Sequence, residues 1–378
     1  MKTPPRPPTV TYTASYPIEF QQFIQEKSKN FVGREFVFTA ITNFLNRHKC
    51  GYFTILGAPG SGKSAILAKY LRDSPDVIYY NAQVAEKNHA DQFLWTVCTQ
   101  LMQKTGNEDA ILPDNATEGS WFLSLLLQKI SDKLESNRCL IIIIDTLDAI
   151  DCNSQPLGSN LLYLPKYLPQ SVYFLLSHRH YLREQSGLLI ETPCQILDLA
   201  AYPEQNRRDV QSYIRQHLTP LERLPEMSHI DEEEFMTRFC FESEDNFMYL
   251  SQILPAIANG FYLKPLHRDR LPTGLAAYYQ QHWQKMKAEG FSNIALEVIR
   301  VLTSGEKGKG ISVKAIAEII DEDEYEVQEV LENWLEFLVQ QKVSTETRYS
   351  FYHDSFRDWL AEQLVNGGIG LEIVNAQK

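Results

Sequence analysis

The sequence predicts an α/β fold in its first half, a parallel sheet with helices on both faces, followed by a block of helices and a final unit of three helices with a β-hairpin. Three observations predict it. Between Phe31 and Tyr202, short apolar runs alternate with segments of helical periodicity. Each run is apolar along its whole length, as strands buried on both faces are. After Tyr202 the strand pattern stops, and helical spacing continues to a polar hairpin near the end.

The elements follow in order. Residues 1–27 begin MKTPPRPPTV and read as a polar lead-in whose prolines favour an extended tail. Phe36 to Arg47 places apolar residues at helical spacing. Tyr52 to Leu56 (YFTIL) is an apolar run ending at glycine, hence a buried strand. A helix is predicted from Lys63 to about Arg72, a strand over Val77 to Tyr80, and helices over Asp91 to Lys104 and Gly119 to Leu134. Leu140 to Ile144, almost all isoleucine, is the third strand. Ser171 to Leu176 is the fourth and Gln195 to Leu199 the fifth.

Helical patterns then cover Glu204 to Leu218, Asp231 to Phe241, Asn246 to Ala258 and Leu275 to Ala288. The last stretch has helices at Ser292 to Leu302, Val313 to Ile320 and Glu324 to Leu338, a hairpin over Lys342 to Phe351, and a helix over Ser355 to Leu364. Three helices and a β-wing are the outline of a winged helix. The expected division is residues 1–27 as an N-terminal segment, 28–202 as the α/β domain, 203–290 as a helical lid and 291–378 as a winged helix. No repeat with a period of roughly 20–50 residues is visible.

Composition narrows the function classes. The chain has 378 residues, 44% hydrophobic and 22% charged, with a formal net charge of −12. Two or three compact units fit that length. The acidic balance is a poor footprint for a dedicated nucleic-acid binder, which needs clustered Lys and Arg. Cys50, Cys98, Cys139, Cys152, Cys194 and Cys240 form no CxxC pair and read as free thiols in a reducing compartment. No apolar run approaches a membrane span, and the start lacks a signal-peptide core. The expectation is a cytoplasmic protein without membrane contact.

One motif carries the chemistry. Gly57-Ala-Pro59-Gly60-Ser61-Gly62-Lys63-Ser64 matches G-x-x-x-x-G-K-[ST], follows an apolar strand and opens a helix. Such glycines let backbone N–H groups turn inward around phosphate, aided by the helix N-terminus. Lys63 supplies a point charge for the β- and γ-phosphates, and Ser64 a hydroxyl for Mg²⁺. Ala65 continues the loop into the helix. The domain is therefore expected to be a P-loop NTPase that binds ATP or ADP. Asp145, where the third strand emerges, suits the Mg²⁺-orienting acid. Asp148 is placed to orient an attacking water; position 149 is alanine, so no other second acid is available. The fourth strand runs into Ser177-His178-Arg179, and Arg179 at its edge is within reach of a γ-phosphate.

Taken together these residues resemble the STAND class of signal-transduction NTPases. Phe31-Val32-Gly33-Arg34-Glu35 is similar to that family's box ahead of the P-loop, which implies that Val32 and Arg34 pack at the adenine. Asp145-Thr-Leu-Asp148 resembles its doubled-acid strand end, and Ser177-His178-Arg179 its γ-phosphate-reading strand. Tyr352-His353-Asp354 resembles its M-H-D motif, which implies that His353 contacts the ADP β-phosphate and locks a closed state. Asp245-Asn-Phe-Met-Tyr249 and Leu271-Pro-Thr-Gly-Leu275 resemble signatures of bacterial members, although Asp245 stands where many relatives have glycine.

The resemblance implies a nucleotide-gated switch, closed with ADP and able to form homo-oligomers with ATP, with slow hydrolysis involving Lys63, Asp148 and Arg179. It also implies effector and sensor domains or partner proteins not readable in this chain, which is then an excised core or a minimal member. For bacterial members it implies antiviral defence or regulated cell death. Two other readings are an ATPase acting on DNA, similar to the AAA+ origin-recognition proteins, and a nucleotide-binding scaffold without turnover. Nucleic acid is the less expected partner, because acidic runs lie at Asp231 to Glu234 and Asp321 to Glu324.

Overall fold

A computed structural model describes residues 17–365, except 75, 85, 106–110, 136, 152–153, 157, 180–186, 222–231, 259–272, 289–290, 306–308, 344–345 and 352. The prolines of the N-terminal tail, Cys152, Asp231, Leu271, Pro272 and Tyr352 therefore lie outside the described residues.

The first half is a three-layer α/β unit. In chain order it contains α1 (Ile18–Ser28), α2 (Glu35–Arg47), β1 (Gly51–Leu56), α3 (Lys63–Asp73), β2 (Ile78–Asn81), α4 (Ala90–Lys104), α5 (Trp121–Ser131), β3 (Leu140–Asp145), β4 (Val172–His178) and β5 (Cys194–Asp198). All strand pairs are parallel, in the order β2-β3-β4-β1-β5. Central strands must be apolar on both faces, and β3 (LIIIID) is buried at every position. All five predicted strands are present, each within two residues of its expected limits.

The register decides where chemistry can occur. Leu56 pairs with His178, Ile144 with Leu176 and Asn81 with Asp145, so β1, β3 and β4 end level with one another. The loops after those strands therefore open onto one edge of the sheet, where ligands bind in such folds.

The second half begins with α6 (Pro203–Leu221), α7 (Glu232–Ser243), α8 (Phe247–Ala258) and α9 (Gly274–Ala288). It continues with α10 (Asn293–Ser304), β6 (Ile311–Ser312), α11 (Val313–Ile320), α12 (Glu324–Asn333), β7 (Leu338–Val343), β8 (Glu346–Phe351) and α13 (Asp354–Val365). The three short strands form an antiparallel sheet in the order β6-β8-β7. Side-chain caps start three of the helices: Ser292 accepts from Ala295 N–H at 3.1 Å, Ser312 from Ala315 N–H at 3.4 Å and Asp323 from Tyr325 N–H at 2.8 Å. One buried cluster runs from Val210 and Ile214 through Trp283, Ile299 and Leu331 to Phe356 and Leu360, separate from the cluster around the parallel sheet.

Several elements differ from the sequence reading: β6 is absent from it, and β7 begins at Leu338, ahead of the hairpin expected from Lys342. Residues 18–28, expected as part of a polar lead-in, form α1, which packs on α3. Its polar residues hide a two-residue apolar stripe: Phe20 is fully buried, edge-on to Tyr79 and Tyr80, and Ile24 lies beside it in the core. The helix expected over Glu324 to Leu338 ends at Asn333. Trp334 leaves helical geometry at φ −105°, ψ 14°, and a single 3₁₀ turn leads into β7. Leaving the helix lets both Trp334 and Phe337 enter the core, with the Trp334 indole N–H donating to Met286 O at 3.2 Å.

Replacing Phe20 by alanine removes a wholly enclosed ring and is expected to destabilise the α/β unit by about 3–4 kcal/mol. Urea denaturation checks this; a loss below about 1 kcal/mol would show that α1 is dispensable to the core.

Candidate functional site

The loop between β1 and α3 has the backbone of an anion nest. Gly60 and Gly62 lie at φ 78° and 93°, in the left-handed region. A Cβ on Gly60 would stand 2.2 Å from Asn246 Oδ1, so glycine is required there by close approach as well as by φ. No side chain caps α3, which leaves its first N–H groups directed at the loop. The Ser61 hydroxyl is buried and has no hydrogen-bond partner among the described residues. The Lys63 ammonium donates to Gly57 O at 2.7 Å and Ala58 O at 3.0 Å. Burial lowers its pKa, and the nearby Asp148 and Asp145 oppose the shift.

Asp145 ends β3 with no exposed surface, yet its carboxylate is well served. It accepts from Ser64 Oγ at 3.2 Å, from Tyr79 Oη at 3.4 Å and from Ser177 Oγ. Burial raises its pKa, against the hydrogen bonds from Ser177 and Ser64 and the charge of Lys63. Ser64 and Asp145 thus pair as a hydroxyl and a carboxylate, a donor set that suits the hard, oxygen-preferring Mg²⁺. The next residue, Thr146, holds φ 62°, a position a β-branched side chain rarely adopts. Its N–H donates to Ser177 Oγ at 2.9 Å. Strain of this kind concentrates at functional edges.

Arg179 follows β4. Its Nε lies 3.0 Å from Asp148 Oδ2, and its backbone N–H donates to Asp148 Oδ1 at 3.1 Å. Its Nη1 donates at 3.0 Å to Asp358, which belongs to α13.

Arg34 is the most enclosed cation of the region, 3% exposed. Its Nη2 donates to Ser61 O at 2.6 Å, Nη1 to Asn206 Oδ1, and Nε faces Asp209 at 3.7 Å. The guanidinium also lies over the Phe247 ring, 4.8 Å from its centre. Burial lowers its pKa to about 10, with Asp209 opposing.

These residues surround one cavity of about 440 Å³. Val32, Arg34, Pro59, Gly60, Gly62, Lys63, Ser64, Ala65, Asp148, Arg179 and His353 all line it. Gly57, Ser61 and Asp145 stand behind that lining. Phe31, from the box ahead of the P-loop, is joined by Tyr213, Phe247 and Met248, to which sequence reasoning gave no role, in an apolar and aromatic wall. A polar, N–H-rich end and an aromatic wall in one cleft fit a nucleotide, and the unpartnered Ser61 hydroxyl fits an anion in the loop.

The turn before α8 reaches the loop directly. Asn246 Nδ2 donates to Pro59 O at 2.9 Å and Met248 N–H to Gly60 O at 3.3 Å. Asp245, which stands where many members of the resembled class have glycine, sits at φ 56°. Aspartate tolerates this conformation better than most residues, so the turn is kept.

His353 Nδ1 accepts from Ser355 N–H at 3.0 Å and lies 2.8 Å from Ser355 Oγ. Because the backbone N–H can only donate, a neutral His353 must carry its proton on Nε2. Burial lowers its pKa to about 3, with Lys27 and Arg179 adding to the shift and Asp358 opposing it. Ser355 Oγ is 2.5 Å from Tyr279 Oη and 3.3 Å from Met248 Sδ, which connects His353 to the helix that touches the P-loop.

Sequence reasoning missed Asn206, Asp209, Tyr213, Ser355 and Asp358. Each lies on a helix at ordinary spacing, and no local pattern marks it. Asn246 and Phe247 lay within a quoted signature, although no role was read from them.

Residues 30–176 match the family model described as AAA ATPase domain. This segment is a parallel-sheet P-loop domain of the AAA type, and it contains the loop, Asp145 and Asp148. No curated protein matches the chain. Among solved structures, the chain is similar to Drosophila ORC bound to DNA, at 14% identity over 92% of this chain and 98% of that one, TM-score 0.40. It is also similar to the Thermotoga maritima RuvB Holliday junction branch migration motor, at 14% identity over 89% and 98%, TM-score 0.34. No helix among the described residues is long and apolar enough to cross a membrane.

The sign of the pH response follows from His353. The unfolded chain takes up a proton near pH 6.5, whereas the folded chain does so only near pH 3. Its contribution to stability is complete above pH 6.5 and is lost progressively as pH falls from there toward 3. His353→Gln, which keeps an acceptor but does not titrate, should narrow the drop in melting temperature between pH 7.5 and 5. An equal drop in both proteins would refute the assignment. His282, whose pKa burial lowers to about 4, contributes to the slope in both proteins.

Proposed function

We propose that this chain is an ATP/ADP-gated switch of the STAND type, in which the C-terminal unit closes over the nucleotide bound by the P-loop domain. The observation that carries the reading is the position of His353. It comes from the segment between β8 and α13, yet it lines the same cavity as Gly60, Lys63 and Ser64. With its proton held on Nε2, His353 can donate to a phosphate oxygen while Ser355 holds the other ring nitrogen.

In this reading Gly57 to Ala65 wrap the phosphates, Lys63 leaves its loop carbonyls for phosphate oxygens, and Val32 with Phe31, Tyr213 and Phe247 encloses the base. Arg34 acts through its grip on Ser61 O and so shapes the loop. Ser64 and Asp145 would hold Mg²⁺, which supplies charge neutralisation at the phosphates. Asp148 orients water and Arg179 reads the terminal phosphate, so hydrolysis is possible but regulatory. The four C-terminal groups at the cavity and loop, His353, Asn246, Met248 and Asp358, make closure sensitive to what occupies the site. Exchange of ADP for ATP biases a bistable interface, and the surfaces released on opening would serve homo-oligomerisation. Residues 28–202, 203–290 and 291–378 are proposed as the P-loop, lid and winged-helix domains; the helices α10 to α12 and the sheet β6-β8-β7 support the last.

The second reading is an AAA+ ATPase acting on DNA, and the AAA ATPase match at residues 30–176 is compatible with it. Against it stands α12, the third helix of the proposed winged helix. Its exposed positions include Glu324, Glu326, Glu329 and Glu332, and it contains no Lys or Arg. A helix of that charge repels a phosphate backbone.

Lys63→Ala should abolish detectable ATP and ADP binding by titration calorimetry, and retained tight ADP binding would overturn the site. His353→Ala should speed ADP release by about tenfold, the weight of one hydrogen bond to a charged group. Stopped-flow release of a fluorescent ADP analogue measures this, and an unchanged rate would count against closure through His353.

A further inference from the structure

We propose that Asp358 sets the preference between nucleoside diphosphate and triphosphate by holding the Arg179 guanidinium against α13. The proposal deepens the switch reading and rests on it. Arg179 is one cation between two carboxylates of different origin. Asp148 comes from the turn after β3, and Asp358 from the second turn of α13. Both contacts are 3.0 Å. The side chains of Asp148, Arg179 and Asp358 are 12%, 28% and 27% exposed, so solvent screens the cluster only in part.

The two carboxylates are not equivalent. Asp148 is also bonded to the Arg179 backbone N–H and remains with the sheet edge. Asp358 is carried by α13 and moves away with it. A guanidinium presents the same fork of N–H donors to a carboxylate and to a phosphate. A terminal phosphate at the mouth of the loop therefore competes with Asp358 for Arg179, and it adds negative charge beside a carboxylate already there. A diphosphate leaves the pair undisturbed.

Triphosphate binding thus carries the cost of separating Arg179 from Asp358, whereas diphosphate binding does not. Asp358 is a positioning residue: it touches Arg179, not the nucleotide. His353 lies five residues before it, at the start of the same helix, so release of Asp358 and withdrawal of His353 are one movement of α13. The closed state is then held at two points, one that contacts the diphosphate and one that excludes the third phosphate.

Asp358→Asn keeps the size of the side chain and removes its charge. The dissociation constants of ATP and ADP, measured by calorimetry on the full chain, should change in ratio by about fivefold or more toward ATP. The ADP constant should stay within about twofold of wild type. Asp358→Glu should restore most of the wild-type ratio, which a packing role alone would not do. In an Arg179→Ala background, Asp358→Asn should leave the ratio unchanged. Equal shifts for both nucleotides, or a full shift without Arg179, would overturn the proposal while leaving the nucleotide site intact. Failure of the wild-type chain to bind either nucleotide would instead overturn the switch reading beneath it.

Discussion

A single buried guanidinium joins parts of the chain that are far apart in sequence. Arg34 stands at the N-terminus of α2, grips the P-loop at Ser61 O, and meets Asn206 and Asp209 on α6 and the ring of Phe247 on α8. A cation this enclosed is costly unless every donor is engaged, and removing any partner would leave charge stranded. The cost is offset only when the sheet unit and the helices after Tyr202 meet in one arrangement. Gly33 makes the meeting possible, because a Cβ there would overlap Asp209 at 2.0 Å. The shape of the P-loop and the position of the following helices are therefore coupled.

That coupling explains how the cavity comes to be lined by residues from both halves. Gly60 of the loop leaves room for Asn246 and Met248, and Met248 passes the contact to Ser355 and Tyr279 beside His353. Nothing in this path is a rigid rod. It is a sequence of hydrogen bonds and packed side chains, each of which can be exchanged for a contact to a ligand. The region joins two units that each have their own apolar core, a combination suited to opening at the seam.

Charge is distributed to match. Three cations at the cavity are engaged within the protein: Arg34 by Asp209, Arg179 by Asp148 and Asp358, and Lys63 by loop carbonyls. A polyphosphate that engages these three groups takes their donors from existing partners, so its binding is coupled to rearrangement. The surplus of acidic residues lies elsewhere, on the exposed faces of elements such as α12.

The sheet was legible because parallel strands buried on both faces must be apolar throughout, and YFTIL and LIIIID leave few alternatives. The P-loop was legible because phosphate binding needs glycine at fixed offsets from a strand and a helix. The helix α1 was not, since two apolar residues among polar ones make a weak stripe whose burial depends on Tyr79 and Tyr80. The end of α12 was hidden too, because the pull of the core on Trp334 and Phe337 outweighs a continuous helical pattern. By itself the sequence determined the α/β architecture, the phosphate loop and the acids that follow β3. Only the tertiary structure decided that Asp209 would hold Arg34, that Ser355 would set the tautomer of His353, and that Asp358 would share Arg179 with Asp148. The first and last of those pairings span 175 and 179 residues. The Ser355 contact is local but depends on how the chain enters α13, and an Asp or Ser on a helix face carries no local mark of the partner that folding brings to it.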